Sequence, residues 1–401
     1  MASYQKYQTK NGKFWLIKFT AGIDAKTGRY KHTTRRGFKT KKEAQLCAAK
    51  ITQMLEQGKP ISNCTLAVDL VIDEWFECYS KTGVKRSTLV NRRTSGIPHV
   101  KKHLGKCPIY KVTKKLYQDM LDSLVEYGYA RGTIETANIV GKLTFKYALE
   151  QGYISDLPTT SAKIPTKRKT VDELRTEGFE DLYLERNELV KFLQVVKKSK
   201  NSIDHAIFQT LSYTGMRIGE LLALQWDDID FKEKSIRIIK TLFREKNTVK
   251  EYELTPPKTI CSTRKIYADD DLMVTLFELK ERQKKIQKVF PAYYDENFVF
   301  AKLDGNFVGY PELRRTLGCR LKVYLKKAKI MKNITLHGFR HTHVSLLAEA
   351  GVSLSAIQER LGHENSKTTK NIYLHMTKNV NREIVSRFTA LLTSTLVTKP
   401  A

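Results

Sequence analysis

Residues 337–341 read His337-Gly338-Phe339-Arg340-His341. This sets a histidine and an arginine three apart, one above the other on a helical turn. Upstream, Tyr213-Thr214-Gly215-Met216-Arg217-Ile218-Gly219-Glu220-Leu221 carries an arginine straight after a glycine break, where a new apolar helix begins. Glu220 reads as the helix-start residue that holds Arg217. Downstream, Leu361-Gly362-His363 closes a helix that Ser353 is expected to cap. Ten residues later Tyr373 stands within Thr368-Thr369-Lys370-Asn371-Ile372-Tyr373-Leu374-His375. Helical blocks run from Asn187 to about Leu392, with one β-rich interruption from Ser235 to Tyr267.

Charge indicates what such a set would act on. Lys and Arg number 71 against 42 acidic residues in 401, a formal balance of +29. A surplus of that size repels itself unless it meets a polyanion, so nucleic acid or an anionic membrane surface is the expected partner. The opening residues lack an apolar signal core, and no stretch approaches a membrane span. Six scattered cysteines (47, 64, 78, 107, 261 and 319) contain no C-x-x-C pair. They fit reduced thiols in a cytoplasm, and zinc is not expected.

Cutting DNA without a metal needs a nucleophile for phosphorus, cations for the non-bridging oxygens and an acid for the leaving sugar oxygen. Arginine suits the second task because its planar fork matches phosphate and keeps its proton. Taken singly, each residue has an ordinary alternative. Arg217 can be a helix-start arginine, and Tyr373 is one of 19 tyrosines. His341 or His343 can stand in for His337, or pair as metal ligands. His337 and His341 fall four apart, a spacing zinc accepts, but no acidic cluster lies near them.

The ordered set resembles the tyrosine recombinase (lambda or phage integrase) family, through its motifs over roughly residues 180 to 390 and more loosely over the whole chain. The layout is similar to integrases of bacteriophages and conjugative transposons. The family pattern of Arg, Lys, His-x-x-Arg, His or Trp, and Tyr is filled by Arg217, Lys258 (in Pro257-Lys258-Thr259), His337, Arg340, His363 and Tyr373. The resemblance implies that Tyr373 is the nucleophile and that Arg217 and Arg340 grip the phosphate. Lys258 would protonate the leaving 5′-oxygen, with His337 and His363 assisting. No cofactor or metal is implied.

The rest of the chain reads as DNA-handling modules in a multidomain α+β protein. Residues 1–60 suggest three strands, Ser3 to Thr9, Lys13 to Thr20 and Arg29 to Phe38, with the first two flanking an Asn11-Gly12 hairpin signal. A capping box at Thr40 opens a helix to about Gln57. This segment holds eleven lysines and three arginines against Asp24, Glu43 and Glu56. It resembles the arm-type DNA-binding domain of such integrases. Residues 63–154 read as an all-helical bundle, similar to the core-binding (SAM-like) domain. Leu66, Leu70 and Phe76 begin one amphipathic run, Ser87 can cap a second, and Thr113 to Tyr127 and Thr133 to Gln151 follow. Residues 155–178 read as a linker and 179–401 as the mainly helical catalytic domain with a small β-sheet. Double-stranded DNA with core-type and arm-type sites, a homotetramer and DNA-bending accessory proteins are the implied partners. A bacterial cytoplasm, at the nucleoid, is the expected place. The apolar run Phe388 to Leu396 is expected to dock on a neighbouring protomer or on its own domain.

Three other readings compete. A DNA-binding regulator without catalysis explains the charge but not the ordered set. A type IB topoisomerase-like enzyme has no need of an N-terminal module that finds an address. A metal-dependent nuclease would need a carboxylate cluster.

Overall fold

The computed structural model describes residues 2–9, 12–23, 30–38, 40–56, 66–165, 182–199, 202–257, 262–362 and 369–374. Lys258, His363, the basic run Lys167-Arg168-Lys169 and the stretch Phe388 to Leu396 lie outside them. The chain divides into two compact units, Met1–Arg168 and Lys169–Ala401. The architecture is multidomain α+β, as the sequence suggests.

The first unit opens with an antiparallel sheet of β1 (Ala2–Thr9), β2 (Gly12–Ile23) and β3 (Tyr30–Phe38), in that order. Thr9 pairs with Gly12, so Gly12 belongs to the second strand rather than to the turn. Helix α1 (Lys41–Glu56) follows, and Thr40 and Glu43 cap it reciprocally at 3.2 and 3.4 Å. Ile17 from the sheet and Ala44 and Ala48 from the helix form a small buried core. Small helix residues at i and i+4 let the helix lie close to the strands.

Five helices follow: α2 (Val68–Ser80), α3 (Arg86–Asn91), α4 (Ile97–Leu104), α5 (Lys114–Glu126) and α6 (Arg131–Glu150). Their core gathers Val71, Ile72, Trp75, Val100, Tyr117, Leu121 and Phe145. Thr113 caps α5 through the Leu116 amide at 3.1 Å. Gly128 and Gly152 sit just past α5 and α6 with positive φ, the conformation that stops a helix cheaply only at glycine. Two expectations fail here. Ser87 is not a cap, because α3 already starts at Arg86 and the Lys85 carbonyl takes its first amides. Leu70 is 57% exposed, because Val68, Val71, Ile72 and Trp75 define the inward face of α2 and Leu70 falls between them. Residues Leu157, Ala162 and Ile164 pack against the bundle, and Gln118 bonds the Lys163 backbone through both of its amide atoms.

The second unit is mainly helical, with α7 (Arg186–Lys197), α8 (Ser202–Thr214), α9 (Ile218–Leu222), α10 (Asp270–Val289), α11 (Arg314–Lys327), α12 (Gly338–Glu349) and α13 (Leu354–Leu361). Strands β4 (Ile229–Asp230), β5 (Ser235–Ile238) and β8 (Arg264–Tyr267) make one antiparallel sheet. Strands β6 (Thr241–Phe243) and β7 (Glu253–Thr255) pair separately. Phe192, Phe208 and Phe339 meet in the core with centroids 5.3 to 5.4 Å apart. Phe339 lies inside the His337–His341 motif, so burying it fixes the start of α12. A second cluster joins Val344 and Ala348 of α12 to Ile357 and Leu361 of α13 and to Ile372. Among the described residues no helix is long and apolar enough to cross a membrane.

Candidate active site

Arg217 occupies the cap position of α9, extended at φ −74° and ψ 147°. The chain arrives there through Gly215 at φ +62°. Glu220 accepts from the Arg217 backbone amide at 2.9 Å and from its guanidinium at 2.7 Å. That is the holding role expected of Glu220. The Arg217 side chain stays 36% exposed, so it is braced by Glu220 without being enclosed.

Glu220 is buried and serves a second arginine. Arg264, on β8, donates to it at 2.9 Å. Burial alone would raise the Glu220 pKa, but hydrogen bonding and charge from Arg264 and Arg217 outweigh it and lower the pKa. Arg264 also donates to the carbonyls of Ser262 and Arg360 at 3.0 and 2.9 Å. Sequence reasoning passed over Arg264, yet a signal was present. In β8 it faces the same way as buried Ile266, and a charge at an inward strand position needs a partner.

Arg340, in the first turn of α12, is 2% exposed. It donates to the Gly215 carbonyl at 2.8 Å and to the Leu361 carbonyl at 2.7 Å. It therefore ties the Arg217 turn to the chain just before His363. Burial, then the neighbouring charge of Arg217, lowers its pKa to about 9.

His337 caps α12, and the Arg340 amide donates to its carbonyl at 3.0 Å. Its ring meets that of His341 edge-on at 4.8 Å. The ring reaches solvent, yet the surrounding protein strips away enough water to push its pKa down to about 4. The charges of His341, Arg340, Arg217 and Arg314 act in the same direction. It is therefore a neutral imidazole at pH 7, able to accept a proton. His343 is different: both ring nitrogens are engaged inside the protein, which removes it as a substitute for His337 and as a metal ligand.

Residues 369–374 are helical. Ile372 belongs to the buried cluster with Val344, Ala348, Ile357 and Leu361, and Tyr373, half-buried, packs against that cluster. The helix that carries Arg340 thus supports the segment that carries Tyr373. Arg340 on α12 grips the turn that leads to Arg217, and Ile372, beside Tyr373, shares a buried cluster with Val344 and Ala348 of α12. Ser353 caps α13 through the Ala356 amide at 3.3 Å, and Gly362 ends it at φ +66°. His363 and Lys258 lie outside the described residues.

A model of the phage integrase family matches residues 183–380, and one of an arm DNA-binding domain matches residues 4–55. The integrase of Staphylococcus phage L54a is 31% identical over 353 residues, covering 86% of this chain and 98% of that protein. The chain belongs to the phage integrase family. It is a tyrosine recombinase, an enzyme that cleaves and rejoins DNA in site-specific recombination. The ICEBs1 integrase of Bacillus subtilis is 26% identical, covering 96% of this chain and 98% of that one. Among solved structures, the Tn1549 transposon integrase in complex with transposon right end DNA superposes with a TM-score of 0.63 at 25% identity. That match covers 80% of this chain and 99% of that chain. A lambda integrase tetramer bound to a Holliday junction shares the fold, with a TM-score of 0.53 at 17% identity and coverage of 92% and 94%.

Proposed function

We propose that this recombinase integrates and excises a mobile element through a covalent 3′-phosphotyrosyl intermediate. The hydroxyl oxygen of Tyr373 bonds to the scissile phosphorus as the bond from phosphorus to the 5′-oxygen breaks. Arg217 and Arg340 neutralise the non-bridging oxygens of the five-coordinate transition state. Lys258 delivers a proton to the departing 5′-oxygen. His337 and His363 move the tyrosine proton and position the phosphate. The ester stores the energy of the broken bond, so the 5′-hydroxyl of a second strand reseals the DNA without ATP.

One observation carries this reading: α12 both holds Arg340 and supports the segment bearing Tyr373, while Arg340 grips the turn that delivers Arg217. All six residues also fall inside the span matched by the family model.

The same reading divides the labour along the chain. Residues 1–60 bind arm-type sites, 63–154 and 179–401 clamp the core site, and 155–178 connect them. Engaging both kinds of site raises the effective concentration of the second, provided the DNA bends. DNA-bending proteins therefore assist. Two sites and two strands per site call for four protomers on the DNA. The enzyme works in the bacterial cytoplasm, at the nucleoid.

The test uses nicked, site-containing DNA in EDTA. A covalent adduct that disappears in Tyr373→Phe, and whose trapped DNA shares one sequence, is the expected result. A regulator gives no adduct, a metal nuclease gives no cleavage in EDTA, and a topoisomerase-like enzyme traps unrelated DNA. Any of these overturns the proposal.

A further inference from the structure

His343 has no part in the chemistry above, yet it is 6% exposed and fully engaged. Its Nδ1 lies 2.8 Å from the Ser212 carbonyl. A carbonyl only accepts, so the proton sits on Nδ1 and Nε2 is left as an acceptor. Arg360 fills that position from its Nε at 3.1 Å. The same guanidinium donates onward to the carbonyls of Tyr213 and Tyr267 at 3.2 and 3.1 Å. Burial and the Arg360 charge hold the His343 pKa near 3, so the acceptor persists at any working pH.

Both ends of this bridge matter. Ser212 and Tyr213 lead directly into Gly215-Met216-Arg217. Arg360 lies in the last turn of α13, next to Leu361, whose carbonyl Arg340 already holds. The His343 ring also lies under Gly215, where a Cβ would come within 2.7 Å of its Cδ2. Arg340 and His343, one helical turn apart, therefore fasten the same two stretches of chain, one through carbonyls and the other through a ring.

We propose that His343, with Arg360, is a positioning pair that sets the Arg217 guanidinium against the scissile phosphate. It acts through the 212–217 turn and touches no DNA. The proposal rests on the reading that Arg217 neutralises that phosphate.

The experiment measures single-turnover cleavage of nicked DNA by the full chain, on a native phosphodiester and on a methylphosphonate at the scissile position. The methylphosphonate lacks the non-bridging charge, so it depends less on a correctly aimed arginine. His343→Phe is expected to lower cleavage of the phosphodiester about 10²-fold, the scale of a misplacement near 1 Å. Its defect should shrink on the methylphosphonate in parallel with that of Arg217→Ala. His343→Gln, which keeps a donor and an acceptor, should retain most of the rate, and DNA affinity should be unchanged. A His343→Phe defect equal on both substrates, with Arg217→Ala relieved, overturns the proposal. So does a wild-type rate. If the methylphosphonate fails to relieve Arg217→Ala, the phosphate reading fails. The pair is then judged by His343→Phe added to Arg217→Ala, where a further full loss overturns the positioning role and no further loss supports it. Should His343→Phe not fold, Arg360→Gln, which leaves the ring in its socket, takes its place in each comparison.

Discussion

Glu220 holds Arg217 twice, accepting from its backbone amide at 2.9 Å and from its guanidinium at 2.7 Å. The carboxylate is buried and also pairs with Arg264, which is itself 7% exposed on its side chain. Removing one partner of a buried pair strands the other. Glu220→Ala is therefore expected to cost about 3–5 kcal/mol of stability and to abolish cleavage. Chemical denaturation measures the first effect. A loss below about 1 kcal/mol would mean that Arg264 finds water or another carboxylate.

Arg340→Lys tests the double grip on Gly215 and Leu361. A lysine ammonium is compact and lacks the planar fork that reaches both carbonyls and a phosphate together. Cleavage should fall about 10²- to 10³-fold with DNA binding kept. Near-normal cleavage would show that charge alone suffices at this position.

Gly215→Ala and Gly351→Ala form a matched pair. Both glycines have positive φ, +62° and +82°, but a Cβ at Gly351 meets nothing within 4 Å while one at Gly215 meets the His343 ring. Gly351→Ala should cost about 1 kcal/mol from backbone strain alone. Gly215→Ala should cost more and remove cleavage. Equal effects in thermal unfolding would deny the contact any importance.

Protonation gives a signed prediction. His337 and His343 have pKa values pushed down to about 4 and about 3 from an ordinary 6.5. The unfolded chain thus binds these protons first, and stability is lost as pH falls from about 6.5 through the folded values. His343→Gln should flatten the fall of melting temperature below pH 6.5. A phosphate beside His337 should raise its pKa, so core-site binding should take up a proton and tighten toward acid pH in a His337-dependent way. Calorimetry in buffers of different ionisation enthalpy detects that uptake.

Much of this was readable in the chain. The β1–β3 sheet and α1 follow from hairpin and capping-box signals. Arg217 after a glycine and Arg340 three past His337 mark their own places by local spacing. What escaped was tertiary. Arg264 and Arg360 look like ordinary members of a basic chain until strand register and helix packing carry them to Glu220 and His343. Ser87 and Leu70 misled for a related reason. A cap and an inward face depend on where neighbouring residues start and bury the helix, and hydrophobicity at one position does not fix either.

The crowding of Arg217, Arg264 and Arg340 about one carboxylate has a price at rest. Idle, these three guanidiniums outnumber Glu220, the acid they share among the described residues, and the packing of Phe339 and Leu361 must keep the corner assembled. A tetrahedral oxyanion such as sulfate or vanadate would relieve that repulsion. The resting enzyme should therefore melt higher in sulfate than in chloride of equal ionic strength, and vanadate should compete with the DNA it is built to cut.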